Sequence, residues 1–122
     1  MDKTTSEVGA AGERFIVKYL EKNGYEILER NYRFRRNEID IIAKENQNEY
    51  IFIEVKTRTS NKYGNPIEAV NKIKQKHIVS ASKFYCYIHD LFDSNINIRF
   101  DIIEIYKKDK FYIKHTKNCE LY

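Results

Sequence analysis

Two acids and a lysine sit inside strongly strand-forming segments. Asp40 lies within Glu38-Ile39-Asp40-Ile41-Ile42, and Glu54 and Lys56 lie within Ile51-Phe52-Ile53-Glu54-Val55-Lys56. Runs of β-branched residues on either side mark strands that are apolar on both faces, as in a covered sheet. Charges embedded there need a compensating partner, because an uncompensated buried charge is costly. A hairpin folded symmetrically about Gln47 sets Asp40 opposite Glu54 and Glu38 opposite Lys56, with each opposed pair on one face. A one-residue slip would undo that arrangement. Opposed carboxylates repel. A Mg²⁺ or Mn²⁺ ion would reconcile them, since such ions take hard oxygen ligands and keep sites for water and phosphate. The cation would act as Lewis acid on a phosphodiester, and the Lys56 ammonium would orient the attacking water or offset charge in the transition state. An ordinary salt bridge to Lys56 is the competing account of the same residues.

The elements around these residues read helix, three strands, helix, two strands. Val8, Ala11, Phe15, Ile16, Tyr19 and Leu20 recur at helical spacing over residues 8–23, and Gly24 is a natural stop. Strands are expected over 25–34, 38–44 and 50–57, with Glu45-Asn46-Gln47-Asn48-Glu49 as the turn between the last two. Asn65 as N-cap, Pro66 at the first helical position and Glu68 at the capping-box position start a second helix. Its apolar stripe is expected to be Val70, Ile73, His77, Ala81, Phe84, Tyr85 and Ile88, with His77 packed in the core. Strands over 97–106 and 111–115 complete a mixed α/β sandwich. Glu13 stands on the apolar stripe of the first helix, where it can face the sheet. The helix dipole alone would also favour an acid there.

Two basic loops flank the acidic strands. Arg33, Arg35 and Arg36 precede Glu38, while Arg58 and Lys62 follow Lys56. These side chains, with Lys74 on the second helix, are the candidate phosphate contacts. Tyr32, Phe34 and Tyr63 lie among them as candidate stacking platforms for unpaired bases, with core packing the competing role. Arg99 and Asp101 alternate on one strand, as a structural ion pair or as support for the site.

Length and composition bound the reading. The chain has 122 residues, a formal net charge of +4 and 42% hydrophobic residues, which suits one domain with a packed core and an anionic partner. The single domain is expected to span residues 1–122, with a core over about 8–106 and a final strand and tail beyond it. No apolar run nears the roughly 20 residues that span a bilayer, and the first residues lack a secretory pattern. A cytoplasmic protein with no membrane contact is therefore expected. Cys86 and Cys119 have no partners at metal-ligand spacing and read as idle thiols.

Several motifs occur together in one order. They are Gly12-Glu13, Asn31-Tyr32 with the following arginines, Glu38-Ile39-Asp40, Glu54-Val55-Lys56-Thr57-Arg58, Tyr63-Gly64, Glu68-Ala69-Val70, Lys74-Gln75 and Arg99-Phe100-Asp101. In this order, over about residues 9–101, the chain resembles the small bacterial YraN-type family of uncharacterised proteins. That family is similar to the restriction-endonuclease-like nucleases, and among them to archaeal-type Holliday junction resolvases. The resemblance implies a core of helix, three-strand meander, helix and strand. It further implies Asp40 and Glu54 as Mg²⁺ ligands, Lys56 as the catalytic lysine, Glu13 near the metal and the Val55 carbonyl as a further ligand. One departure is Asn37, where the family usually has glycine. Asn tolerates a left-handed backbone, so the turn is expected to survive.

Two functions follow from the sequence. The first is a metal-dependent endonuclease or exonuclease acting on nucleic acid, DNA rather than RNA, in branched or damaged forms. The second is a nucleic-acid-binding module or accessory subunit with no catalytic activity of its own. A homodimer would suit symmetric junctions, but no segment announces an interface.

Overall fold

The computed structural model describes residues 5–58, 72–107 and 109–120, with the side chains of residues 5–8 left out. Among these residues the order is α1 (Thr5–Lys22), β1 (Glu26–Phe34), β2 (Asn37–Asn46), β3 (Glu49–Arg58), α2 (Lys72–Ile88), β4 (Asn97–Lys107) and β5 (Phe111–Thr116). The strands form one mixed sheet in the order β1-β2-β3-β4-β5. All neighbours are antiparallel except β3 and β4, which run parallel. A parallel pair needs a crossover, and the chain between β3 and β4 carries α2. This is the α/β core of helix, three-strand meander, helix and strand that the resemblance implies. The N-cap and capping-box residues Asn65, Pro66 and Glu68 lie outside the described residues.

Helix α1 ends as glycine chemistry dictates. Gly24 adopts φ 87°, its N–H bonds the Glu21 carbonyl, and the Tyr25 N–H reaches back to the Leu20 carbonyl. These are the two bonds of a Schellman cap, and Tyr25 and Leu20 share the core beneath it.

The sheet is covered on both faces. Ile16 and Leu20 of α1 pack with Ile41, Ala43, Ile51, Ile53, Ile103 and Ile105. On the other face, Ile78, Ala81, Tyr85 and Cys86 of α2 pack with Ile39, Ile42, Phe52, Phe100 and Ile102. Gly12 explains how closely α1 approaches. A Cβ there would stand 3.3 Å from the Ile105 Cδ1. Gly12→Leu is expected to overpack this contact and cost about 1–3 kcal/mol in urea unfolding. A neutral result would mean the helix lifts freely from β4.

Two expectations about packing need correction, and a third feature agrees with the packing role open to the aromatic residues. First, the buried face of α2 is Gln75, Ile78, Ala81, Tyr85 and Cys86, whereas Ile73 is 68% and Ile88 51% exposed. His77 is exposed as well, so it is not a packed core histidine. Second, the left-handed residue of the β1–β2 turn is Arg35, at φ 61°, and Asn37 begins β2 without a positive φ. Third, Tyr32 and Phe34 are engaged by α2. Tyr32 meets Tyr85 edge-on at 5.3 Å, and Phe34 stacks on Phe84 at 4.0 Å. Their rings serve packing, and Tyr63 lies outside the described residues. The cysteines are free thiols, as expected. Among the described residues no helix is long and apolar enough to cross a membrane.

Candidate metal and nucleic-acid site

The β2–β3 hairpin has the symmetric register read from the sequence. Ile41 pairs with Ile53, Ile42 with Phe52, Ala43 with Ile51 and Lys44 with Tyr50. The next step of that register is Asp40 and Glu54, and there the ladder ends. The reason lies in β2 itself. Ile39 packs on the α2 face and Ile41 on the α1 face, so strict alternation breaks at Asp40. Across from this point, between the pairs Arg30↔Ile41 and Tyr32↔Ile39, stands Asn31 at φ 52°. Freed from the ladder, the Asp40 Oδ2 accepts a 2.8 Å hydrogen bond from the Val55 N–H. The acid thus bridges the fork between the two strands.

Glu54 is the most buried member of the group, with its side chain 5% exposed. Its Oε1 stands 3.9 Å from the ammonium of Lys56 and 3.9 Å from that of Lys74. Its Oε2 is buried and has no hydrogen-bond partner among the described residues. Such an atom forgoes the solvation that a carboxylate would otherwise have. Burial pushes the Glu54 carboxyl up to about 7, and the charge of Asp40 adds to this, while Lys74 and Lys56 oppose it. Burial also raises the Asp40 carboxyl, against the Val55 hydrogen bond and Lys74. The acids therefore converge, and neither ionises freely.

The other expected site residues divide into three groups. Glu38 does not reach Lys56 across the hairpin. The ladder stops short of it, and Glu38 lies 3.6 Å from Arg33 of β1. Glu13 is half-buried and near enough to raise the Asp40 carboxyl, yet its Oε2 is 3.5 Å from Arg30. Arg33, Arg35 and Arg36 are exposed at the β1–β2 turn. Arg58 is a correction. It is buried with its Nε 3.0 Å from the Glu104 Oε2, which leaves it poorly placed as a surface phosphate contact. Lys62 lies outside the described residues.

Sequence reading missed two features. Lys74, a candidate phosphate contact with plain solvation as the competing role, also faces Glu54 directly. Glu104 is 2% exposed, and its Oε1 is buried without a hydrogen-bond partner among the described residues. An acid within Ile102-Ile103-Glu104-Ile105 carried the same signal that singled out Glu54. Its register partner on β3 is Lys56, so the Arg58–Glu104 pair borders the site.

The donor set fits a hard divalent cation. Asp40, Glu54 and the Val55 carbonyl would provide oxygen ligands, and the Glu54 Oε2, unpartnered among the described residues, is the atom such an ion would satisfy. Among the described residues no group of three or more His, Cys, Asp and Glu side chains could by itself hold a metal. Mg²⁺ does not require one, since it is commonly held by one or two carboxylates together with waters and substrate phosphate.

A mixed sheet covered on both faces, forking at a buried acid pair with lysines beside it, defines an α/β protein with a charged inter-strand site. The chain belongs to the Uncharacterised protein family UPF0102, whose model matches residues 12–105. A UPF0102 protein of Clostridium perfringens is 47% identical over 118 residues, covering 96% of this chain and 90% of that protein. One from Chlorobium phaeobacteroides is 49% identical over 98 residues, covering 80% and 75% respectively. Among solved structures, Pyrococcus furiosus SfsA in complex with Ca²⁺ is similar at a TM-score of 0.43 and 15% identity, covering 93% of this chain and 63% of that one.

Proposed function

We propose that this protein is a metal-dependent nuclease that hydrolyses phosphodiester bonds of nucleic acid, DNA rather than RNA. The observation that carries this reading is the buried Glu54 carboxylate beside Asp40, with one oxygen unpartnered among the described residues and two lysines at 3.9 Å. Asp40, Glu54 and the Val55 carbonyl would hold Mg²⁺ or Mn²⁺. When bound, the ion supplies Lewis acidity and a water of lowered pKa. The protein's own groups do the rest. The Lys56 ammonium orients the attacking water and offsets charge on the phosphate. Lys74 on α2 stands at the same distance from the same carboxylate oxygen and can take a substrate phosphate. Arg33, Arg35 and Arg36 at the β1–β2 turn supply backbone contacts along the strand being cut. Glu13, drawn off by Arg30, tunes Asp40 through its charge.

The test is cleavage of labelled duplex, forked, junction and single-stranded substrates with Mg²⁺ or Mn²⁺. Wild-type protein is expected to cut at least one of them. Lys56→Ala should slow the reaction by roughly 100-fold or more, and Asp40→Ala should abolish it. Cleavage that survives Asp40→Ala would sink the assignment. A second reading is a binding module without chemistry. It is favoured by the two lysines, which can neutralise Glu54 as a plain ion pair. It expects salt-dependent binding and no cleavage with either metal.

A further inference from the structure

We propose that a groove between α1 and β5, separate from the acidic pair, is a track for a single-stranded segment of nucleic acid. The ligand class rests on the proposed function above, and the groove names the form of nucleic acid it takes. The groove encloses about 630 Å³, and its lining includes Phe15, Lys18, Tyr19, Lys22, Lys110 and Phe111. The four α1 residues fall at i, i+3, i+4 and i+7, so one helix face alternates ring and ammonium. Among the described residues no carboxylate lines the groove. Asp109 borders Lys110 but is engaged by the Lys110 N–H and the Tyr112 hydroxyl.

The rings are held ready. Phe15 is 39% exposed although it lies 5.3 Å from Phe111. Lys107 Nζ stands 4.9 Å over the Phe111 ring, which lends a further cation to the same edge. Tyr19 is pinned by a 2.9 Å hydrogen bond between its hydroxyl and His115 Nδ1. Partly exposed rings interleaved with lysines suit a ligand that carries both π-faces and regular negative charge. Single strands offer that combination, whereas a duplex hides its bases and offers phosphate alone. An apolar peptide would leave the lysines without counter-charges. A second copy of this basic chain, docked groove to groove, would set lysine against lysine.

The experiment is fluorescence anisotropy with the full chain in EDTA, which prevents metal-dependent cleavage. The probes are oligothymidylate of about 15 nucleotides, an abasic strand of equal length and a blunt duplex. Oligothymidylate should bind roughly tenfold tighter than the abasic strand, as base–aromatic stacking implies. Phe15→Ala should erase most of that difference and leave abasic binding alone. Lys18→Ala with Lys22→Ala should weaken both strands and flatten the salt dependence. Phe15→Leu keeps the apolar contact with Phe111 and loses the stack, so it should match Phe15→Ala even if the alanine variant is poorly folded. Equal binding of the abasic and thymidine strands, or unchanged binding by both Phe15 variants, overturns the proposal. So would a change in sedimentation rather than binding, which would mark a protein interface. Groove variants are expected to cut, at saturating protein, whichever of the four substrates wild type cuts, and Asp40→Ala to bind oligothymidylate normally. Loss of one assay without the other therefore identifies which assignment has fallen.

Discussion

Glu54→Gln is expected to stabilise the metal-free protein above pH 7 while abolishing its cleavage of nucleic acid. The sign follows from linkage. In the unfolded chain this carboxyl ionises near its ordinary 4.5, and in the folded protein burial and Asp40 push it up to about 7. Between those values the folded state holds the extra proton. The group's contribution to stability is complete below pH 4.5 and is lost as pH rises through 7. That difference corresponds to an upper bound of about 3 kcal/mol. An amide stays neutral at every pH and avoids the loss, although it gives up the weak attraction of Lys56 and Lys74. A gain of roughly 1–3 kcal/mol at pH 8 follows, or several degrees in Tm, fading towards pH 4. Mg²⁺ should act in the opposite sense. It is expected to raise the Tm of wild-type protein, by about 3 kcal/mol equivalent at a hundredfold excess over Kd, and to leave Glu54→Gln unmoved. Thermal melts at pH 4, 6 and 8, with and without Mg²⁺, provide the check. A variant less stable than wild type at every pH would mean that the two lysines already satisfy the carboxylate, which is the binding-module reading.

The hairpin register was readable because every constraint on it is local. The β-branched residues on both strands select this pairing, whereas the tight turn itself pairs Asn46 with Glu49 and an irregularity between Lys44 and Asn46 restores the register. Residues 41–44 and 50–53 obey it, and Asp40 and Glu54 come together as a consequence. The stop at Gly24 was readable for the same reason. Helix α2 was readable only in part: Ala81 and Tyr85 are buried as expected, but Gln75 shares that face and Lys74 turns towards Glu54, while Ile73 and Ile88 lie in solvent. Apolar periodicity finds the wrong phase when a helix must present polar groups to a charged site. The break at Asp40 was equally hidden. It depends on a positive φ at Asn31, two strands away from Glu54 and with no sequence signal beyond the residue type. The burial of Arg58 follows from pairing with Glu104, 46 residues later, through a parallel register that no local pattern fixes.

Asp101→Ala is expected to be the most destabilising single truncation outside the hydrophobic core. Asp101 is fully buried on the α1 side of the sheet. It accepts hydrogen bonds from Arg99 Nε at 2.9 Å, Arg99 Nη2 at 3.0 Å, His115 Nε2 at 2.7 Å and the Asn118 N–H at 2.9 Å. Burial alone would push this carboxyl up, but the bonds from His115, Arg99 and Asn118 prevail and hold it below the ordinary carboxylate range. The network reaches outward from there. Arg99 also binds Glu45, Glu49 and the Tyr25 hydroxyl, and His115 binds Tyr19. One carboxylate thus ties β4 to the β2–β3 turn, to the end of α1, to β5 and to the tail. Removing it leaves the buried Arg99 Nε, the His115 Nε2 and the Asn118 N–H without their acceptor, a defect of about 3–5 kcal/mol even though Glu45 and Glu49 still hold Arg99 Nη1. Urea unfolding at pH 7 should show a loss of that size for Asp101→Ala, with Asp101→Asn close behind, since its amide turns donors towards donors. A depressed carboxyl contributes stability that is present above its unfolded value of 3.8 and is lost as pH falls through its folded value. The gap between wild type and variant should therefore narrow in acid. A loss below about 1 kcal/mol would place the network among exposed ion pairs of little worth, and the junction of turn, helix and tail would have to be held by the isoleucine core alone.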